Sequence, residues 1–125
     1  SEALFLLALS FGLLEDPVKG MSRALEKVSR ILQREQSQDP LRLTAALSDG
    51  KSIWAFRYSS DNMSPSLFYG NPSTLEHQGS HKNHNLVSTI ASEPFDDEED
   101  HWVEVCESSY LHWDAGKVVV NRIQI

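Results

Sequence analysis

The sequence predicts a mixed α/β (α+β) fold in which two helices precede about six mostly antiparallel strands. Apolar residues before Pro40 recur at the three- and four-residue spacing of a helix. After Pro40 every second residue is apolar, which is the spacing of a strand. Several of the alternating segments are apolar on both faces, and such strands need cover on both faces. The predicted arrangement is therefore a layered sandwich of helices and sheets.

The composition is that of a globular domain. Of the 125 residues, 40% are hydrophobic and 23% are charged, which is enough apolar material for one core. The net charge of −7 argues against nucleic acid and against anionic membranes as partners, because both attract basic surfaces. The single cysteine, Cys106, excludes an internal disulfide and favours a reducing, cytoplasmic location.

The two predicted helices differ in character. Ala3–Leu14 is apolar on nearly all sides, which predicts a helix enclosed by protein. It is shorter than the roughly 20 residues that span a bilayer, and Glu2 stands where a signal peptide carries positive charge. The second helix is predicted from Asp16 as N-cap and Pro17 as first residue to a point before Asp39-Pro40. Its core stripe is Val18, Met21, Ala24, Leu25, Val28, Ile31 and Leu32.

The first two strands are predicted to form a hairpin from Leu41–Ser48 and Ser52–Ser59. Asp49-Gly50 between them is typical of a type I′ turn, which needs positive φ at both central positions. Closing the hairpin on this pair predicts two apolar cross-strand pairs, Ala45 with Trp54 and Leu43 with Phe56.

The rest of the chain is predicted to form short strands and a second hairpin. Gly70 to Asn85 lacks periodicity and is predicted to be a loop. The predicted strands are Ser66–Tyr69, Leu86–Ala91, Trp102–Val105, and the hairpin of Ser109–Asp114 and Lys117–Ile123 around Ala115-Gly116.

Two clusters of metal-binding residue types are interpreted as loops. His77, His81 and His84 have helical spacing, but Gly79 interrupts them and no carboxylate or cysteine completes a ligand set. The acidic run Asp96–Asp100 lacks the alternating ligands and central glycine of a calcium loop. We therefore predict no metal and no cofactor.

The sequence contains no recognisable nucleophile motif. Cys106 has no glycine-rich oxyanion turn nearby and is predicted to be a buried or edge-strand thiol. Ser48, Ser92 and Ser109 lack the glycine-flanked nucleophile elbow. No catalytic residue is predicted within the chain.

Four short stretches carry a family resemblance through their order and spacing. They are Ser1-Glu2 before an apolar helix, Leu41–Gly50 running into Ile53–Tyr58, Ile90–Asp96, and Trp102–Val105 followed by Glu107–Ser109. Together they resemble the class II glutamine amidotransferases, in the branch related to enzymes of ergothioneine synthesis and γ-glutamyl peptide breakdown. The resemblance covers nearly the whole chain.

The resemblance implies part of an αββα N-terminal-nucleophile hydrolase sandwich, with residues 1–125 as the C-terminal part of a single domain. It implies an enzyme that hydrolyses the side-chain amide of glutamine or a γ-glutamyl peptide through an N-terminal cysteine outside this chain. An acceptor domain or subunit for the ammonia is a further expected partner. The family aspartate that holds the substrate amino group would directly precede Ser1, which places Ser1 and Glu2 near the substrate pocket.

A second hypothesis is a non-catalytic interaction or regulatory module of the same fold that lacks its nucleophile. A half-domain would leave sheet edges and apolar faces uncovered, so we favour the enzyme. Arg42, Arg57 and Glu93 are interpreted as structural residues that pair with one another.

Overall fold

The computed structural model describes residues 1–70 and 89–125. In this part of the chain, two helices precede seven strands and one short 3-10 helix, Glu99–His101. The helices are α1 (Glu2–Ser10) and α2 (Pro17–Arg34). The strands are β1 (Arg42–Ser48), β2 (Ser52–Ser59), β3 (Phe68–Gly70), β4 (Ile90–Ala91), β5 (Trp102–Glu104), β6 (Ser109–Asp114) and β7 (Lys117–Arg122).

The strands form two antiparallel sheets that lie in layers with the helices. The four-stranded sheet has the order β1-β2-β6-β7, and the three-stranded sheet has the order β4-β3-β5. One core cluster joins the helices to the four-stranded sheet, with Leu25 and Phe56 fully buried. A second cluster lies between the sheets and contains Ala55 and Leu111 of the larger sheet. The layer order is helices, sheet, sheet, which confirms the predicted mixed α/β sandwich.

Helix α1 ends earlier than predicted. The prediction ran to Leu14, but α1 ends at Ser10, because Gly12 takes a positive φ of 89°. Leu13 N then donates to Ala8 O at 3.1 Å, and Gly12 N donates to Leu9 O at 3.1 Å. These two bonds are those of a Schellman motif, in which glycine is the preferred residue.

The prediction that protein encloses α1 is wrong for the described residues. Ala8 is the one residue of the helix that is fully buried, whereas Phe5 is 44% and Leu6 is 55% exposed. One side of α1 packs on α2 and the four-stranded sheet, and the opposite side carries apolar side chains that no described residue covers.

Helix α2 confirms the predicted start and core face. The Asp16 side chain accepts a hydrogen bond from Lys19 N at 3.0 Å, and Pro17 is the first helical residue. This is the arrangement expected of an N-cap followed by proline. Met21, Ala24 and Leu25 of the predicted stripe are buried.

The first hairpin has a different register from the predicted one. Ala45 pairs with Phe56 and Leu47 with Trp54. The two central turn residues are Gly50 and Lys51, of which only Gly50 has a positive φ, so the turn resembles type II′ rather than type I′.

The Asp49 side chain explains this register. It accepts hydrogen bonds from Lys51 N at 2.9 Å and Ser52 N at 2.7 Å, which holds Asp49 opposite Ser52. The shift changes every cross-strand partner by two residues, so each side chain stays on its predicted face.

The second hairpin confirms the predicted two-residue turn. Asp114 pairs with Lys117, and Ala115 and Gly116 have φ angles of 49° and 81°. Positive φ at both central positions defines a type I′ turn.

The short strands agree with the prediction in position but not in length. Strand β3 begins at Phe68 rather than at Ser66, whose hydroxyl donates to Ser92 O at 2.7 Å. Strand β5 ends at Glu104. Of the predicted strand Leu86–Ala91, residues 89–91 are described, and Ile90–Ala91 form β4. The predicted loop lies outside the described residues apart from Gly70, which belongs to β3.

Candidate functional site

The two residues predicted to lie near a substrate pocket, Ser1 and Glu2, stand at the start of α1. Both are exposed. Ser1 occupies the N-cap position, where its carbonyl accepts a hydrogen bond from Phe5 N at 3.1 Å and its hydroxyl makes no capping bond. Their role near a substrate stays a prediction.

A buried polar network around Arg57 joins the two sheets. The side chain of Arg57 is 8% exposed and its Nη1 lies 2.8 Å from Glu104 Oε1. The same nitrogen donates to Val105 O, and Nε donates to Ser64 Oγ at 3.0 Å. Ser64 in turn donates to Glu107 Oε2 at 2.6 Å. The guanidinium, which β2 of the four-stranded sheet carries, therefore binds Glu104 of β5 in the three-stranded sheet. An unpaired charge at this buried position would be costly.

The expected pairing among Arg42, Arg57 and Glu93 is wrong, because each arginine meets another carboxylate. Arg42 Nη2 lies 2.6 Å from Asp61 Oδ2. The hydrogen bond from Arg42, followed by that from Ser59, holds the pKa of the Asp61 carboxyl well below its ordinary value. Glu93 is exposed in the turn after β4.

A groove of about 800 Å³ lies on the outer face of the three-stranded sheet. Phe68 and Trp102 supply aromatic surface, and the other lining residues are mostly acidic. Asp96 is the organising residue of its rim, since one carboxylate oxygen accepts hydrogen bonds from Trp102 Nε1 at 3.1 Å and Glu98 N at 3.0 Å. The hydrogen bond with His101, which is the largest cause, lowers the pKa of Asp96.

A smaller cavity of about 500 Å³ lies where the first half of α2 approaches Tyr110 and the end of the chain. Lys19, Arg23 and Arg122 line it together with Asp16 and Glu26. Charges of both signs alternate there, and no cysteine or histidine lines it. The arrangement is that of a solvated, mixed-charge surface.

Cys106 does not occupy the predicted place. It lies between β5 and β6, outside any strand, and is exposed. The preceding residues, Trp102–Val105, were predicted to be a strand that would continue toward Cys106. However, the paired part of that strand ends at Glu104, so Val105 has no partner in the sheet register. No described histidine is hydrogen-bonded to it, so the described residues provide no cysteine–histidine pair.

Two features are absent from the described residues. They contain no group of three or more side chains that could hold a metal ion. None of their helices combines the length and apolar character needed to cross a membrane. His77, His81 and His84 lie outside the described part of the chain.

Sequence reasoning missed the environment of His112. Its ring stacks on Trp54 with 4.9 Å between centroids and 6° between planes. Its Nε2 is buried and has no hydrogen-bond partner among the described residues. Side chains alternate between the two faces along β6, so His112 lies on the same face as Tyr110. This alternation could have placed His112 on the helix side of the sheet from the sequence alone.

Comparisons with known proteins agree with the fold. No protein-family model matches the sequence, and no curated protein matches it. Among solved structures, the chain is similar to a glutamine aminotransferase class-II domain protein from Silicibacter pomeroyi, with 34% sequence identity and a TM-score of 0.78. The match covers 98% of this chain and 51% of that chain, so this chain spans about half of that protein's length.

The class of protein follows from this match together with the layered fold. The described residues form two helices and two antiparallel sheets, and the match to the solved structure covers 98% of the chain. This is the fold of an N-terminal-nucleophile hydrolase-like domain fragment. Within that class, the chain has the fold of a class II glutamine amidotransferase, which confirms the resemblance of the sequence.

Proposed function

We propose that residues 1–125 form the C-terminal part of a single class II glutamine amidotransferase domain. The observation that carries this proposal is the match to the solved structure, which includes 98% of this chain but only about half of its neighbour at 51%. The protein that contains the chain would then be an enzyme whose nucleophile belongs to the other half. An acceptor domain or subunit that uses the ammonia is part of the same proposal.

The proposed reaction uses an N-terminal cysteine outside these residues. Its thiolate attacks the side-chain amide carbon of glutamine, or the corresponding carbon of a γ-glutamyl peptide, while its own α-amino group takes the thiol proton. The carbon–nitrogen bond breaks to give a glutamyl thioester and ammonia, or an amine from the peptide. Water then cleaves the thioester to glutamate and restores the thiol.

The described residues would support this reaction rather than perform it. Ser1 and Glu2, at the start of α1, would orient the chain segment that precedes the helix and borders the substrate. Glu2→Gln should raise the KM for glutamine about threefold, with little change in kcat, if Glu2 positions the substrate side of the pocket. The matched control is Glu15→Gln beyond the other end of α1, where no change is expected. A loss of kcat alone would contradict the positioning role.

The direct test is a glutaminase assay on the whole protein. Purified protein is incubated with glutamine and, separately, with a γ-glutamyl peptide, and glutamate and ammonia are measured. The proposal expects glutamate from one of the two substrates and loss of activity when the N-terminal cysteine is replaced by serine. Glutamate formation that survives this replacement would contradict it.

The exposed thiol of Cys106 supports a cytoplasmic location as part of the proposal. A reducing compartment keeps an exposed, unpaired thiol from forming mixed disulfides.

A non-catalytic module remains the second candidate function. The observation in its favour is that the described residues bring no nucleophile and base together. Absence of turnover with both substrates, in a protein whose N-terminal residue is not cysteine, would select this alternative.

A further inference from the structure

The turn between β1 and β2 contains an aspartate followed by a glycine, Asp49-Gly50, and both residues are exposed. In such a pair the amide nitrogen of the glycine can attack the side-chain carboxyl carbon of the aspartate. Glycine hinders this attack least, because it has no Cβ. The turn therefore carries the residue types that undergo spontaneous aspartyl isomerisation.

The reaction has two steps and needs only water. In the first step, Gly50 N forms a bond to Asp49 Cγ and loses its proton, and the carboxyl hydroxyl leaves with a proton as water. In the second step, water opens the five-membered imide. Addition at the side-chain carbonyl restores aspartate, and addition at the main-chain carbonyl gives isoaspartate, in which the main chain runs through Cβ and Cγ.

The closed hairpin holds the Asp49 carboxylate in its less reactive form. Its Oδ1 accepts hydrogen bonds from Ser52 N at 2.7 Å and from Lys51 N at 2.9 Å. These two bonds, that from Ser52 first, lower the pKa of Asp49 because they stabilise the ionised carboxylate. The protonated carboxyl is the better electrophile, since it can release water.

The closed hairpin also restrains the attacking nitrogen. Gly50 N donates a hydrogen bond to Ser48 Oγ at 3.1 Å, so its N–H is directed at this hydroxyl. The N–H must leave the hydroxyl before the nitrogen can bond to Asp49 Cγ. The main chain adds a further restraint, because Asp49 N donates to Ser52 O at 3.4 Å.

We propose that Asp49-Gly50 is a modification site at which isoaspartate forms when the first hairpin opens. The bonds of the Asp49 carboxylate and of the Ser48 hydroxyl hold the reaction off while the hairpin is closed. The product adds one methylene to the main chain of the turn, so a two-residue turn can no longer hold Asp49 opposite Ser52. The proposal is independent of the proposed enzymatic reaction.

Ageing of the whole protein at neutral pH in heavy-oxygen water tests the proposal. Each passage through the imide takes up one oxygen atom from the water, and isoaspartate separates from aspartate by chromatography at the same mass. Trypsin, which cuts after lysine and arginine, releases residues 43–51, in which Asp49 is the one aspartate. This peptide should accumulate isoaspartate. Residues 35–42, in which Pro40 follows Asp39 and has no N–H, are the internal control and should not.

Ser48→Ala should raise the rate of isoaspartate formation about threefold to tenfold, the range that one hydrogen bond supplies. The matched variant Ser48→Thr keeps the hydroxyl and should retain the wild-type rate. Gly20→Ala changes a residue of α2 outside the turn and should leave the rate within about twofold of wild type, because distant sites act independently. In urea that unfolds the protein, wild type and Ser48→Ala should react at equal rates.

Three results would overturn the proposal. Absence of isoaspartate from aged wild type and Ser48→Ala would remove the modification site. Equal rates in folded Ser48→Ala and Ser48→Thr would remove the protective role of the hydroxyl. An acceleration by Gly20→Ala as large as that by Ser48→Ala would show that unfolding of the whole domain, rather than opening of the hairpin, controls the reaction.

Discussion

At the scale of single residues, Gly20 shows how closely the two helices approach each other. A Cβ at this position would lie 2.6 Å from Leu13 Cα and 2.7 Å from Leu13 N, which are backbone atoms of the turn after α1. Backbone atoms cannot rotate away as a side-chain tip can. The glycine is therefore required by packing, although glycine in a helix is unfavourable by about 1 kcal/mol relative to alanine.

Gly20→Ala should lower the free energy of unfolding by about 2 kcal/mol, since the steric cost exceeds the gain in helix propensity. Urea unfolding followed by circular dichroism measures the change. Lys27→Ala, at an exposed position of the same helix, is the control and should stay within about 0.5 kcal/mol of wild type. A more stable Gly20→Ala variant would mean that α1 and α2 pack less closely than described.

The Arg42–Asp61 pair predicts a dependence of stability on pH. Because the folded-state pKa of Asp61 lies below its ordinary value of 3.8, the pair stabilises the fold above that pH and loses its effect as the pH falls. Wild type should therefore have a higher Tm than Asp61→Asn at neutral pH, and the difference should shrink below about pH 4.

Thermal unfolding of both proteins across this range is the measurement. Asp39→Asn serves as the control for the loss of an exposed carboxylate. A Tm difference for Asp61→Asn that stays constant down to low pH would show that the ion pair is not its cause.

At the scale of elements, the sequence was most informative where local chemistry decides the structure. The start of α2 could be predicted because Asp16 and Pro17 act on their own helix. The register of the first hairpin could not be predicted correctly, because Gly50 can form a two-residue turn either with Asp49 before it or with Lys51 after it. The hydrogen bonds of the Asp49 side chain decide between the two. The layers were nevertheless predicted, since a shift of two residues keeps every face.

The network of Arg57 could not be predicted from the sequence. Its partner Glu104 lies 47 residues away and on a different sheet. The available signal was a single arginine among the apolar residues of β2, and such a residue indicates a buried pair without naming the partner. The same limit applies to Ser1 and Glu2, whose predicted surroundings belong to residues outside the chain.

Arg57→Met should lower the free energy of unfolding by about 2–3 kcal/mol. Removal of one partner of a buried pair costs about 3–5 kcal/mol, and the 55% exposure of the Glu104 side chain reduces the cost. Arg57→Lys should fall between wild type and Arg57→Met, because an ammonium keeps the charge but not the fork of N–H donors.

The matched control is Arg30→Met, whose partner Glu26 forms an exposed pair on α2. It should lower the free energy of unfolding by less than about 0.5 kcal/mol. Urea unfolding followed by circular dichroism measures the change for each variant. Equal losses of unfolding free energy at Arg57 and Arg30 would contradict the role of the network as the link between the sheets.

At the scale of the whole molecule, the described residues leave one side of α1 uncovered, where Phe5 is 44% exposed and Leu6 is 55% exposed. Exposed apolar patches often mark interfaces. This surface fits a chain that spans about half of a matched structure, at 51% of its length.

The central claim is that these residues work with an N-terminal half that supplies a cysteine nucleophile. The most direct test is the intact mass of the purified natural protein together with the identity of its N-terminal residue. We predict a mass well above the 14.1 kDa of these residues and a cysteine at the amino terminus. A natural protein of 14.1 kDa that begins at Ser1 would contradict the claim, because it would have no N-terminal cysteine.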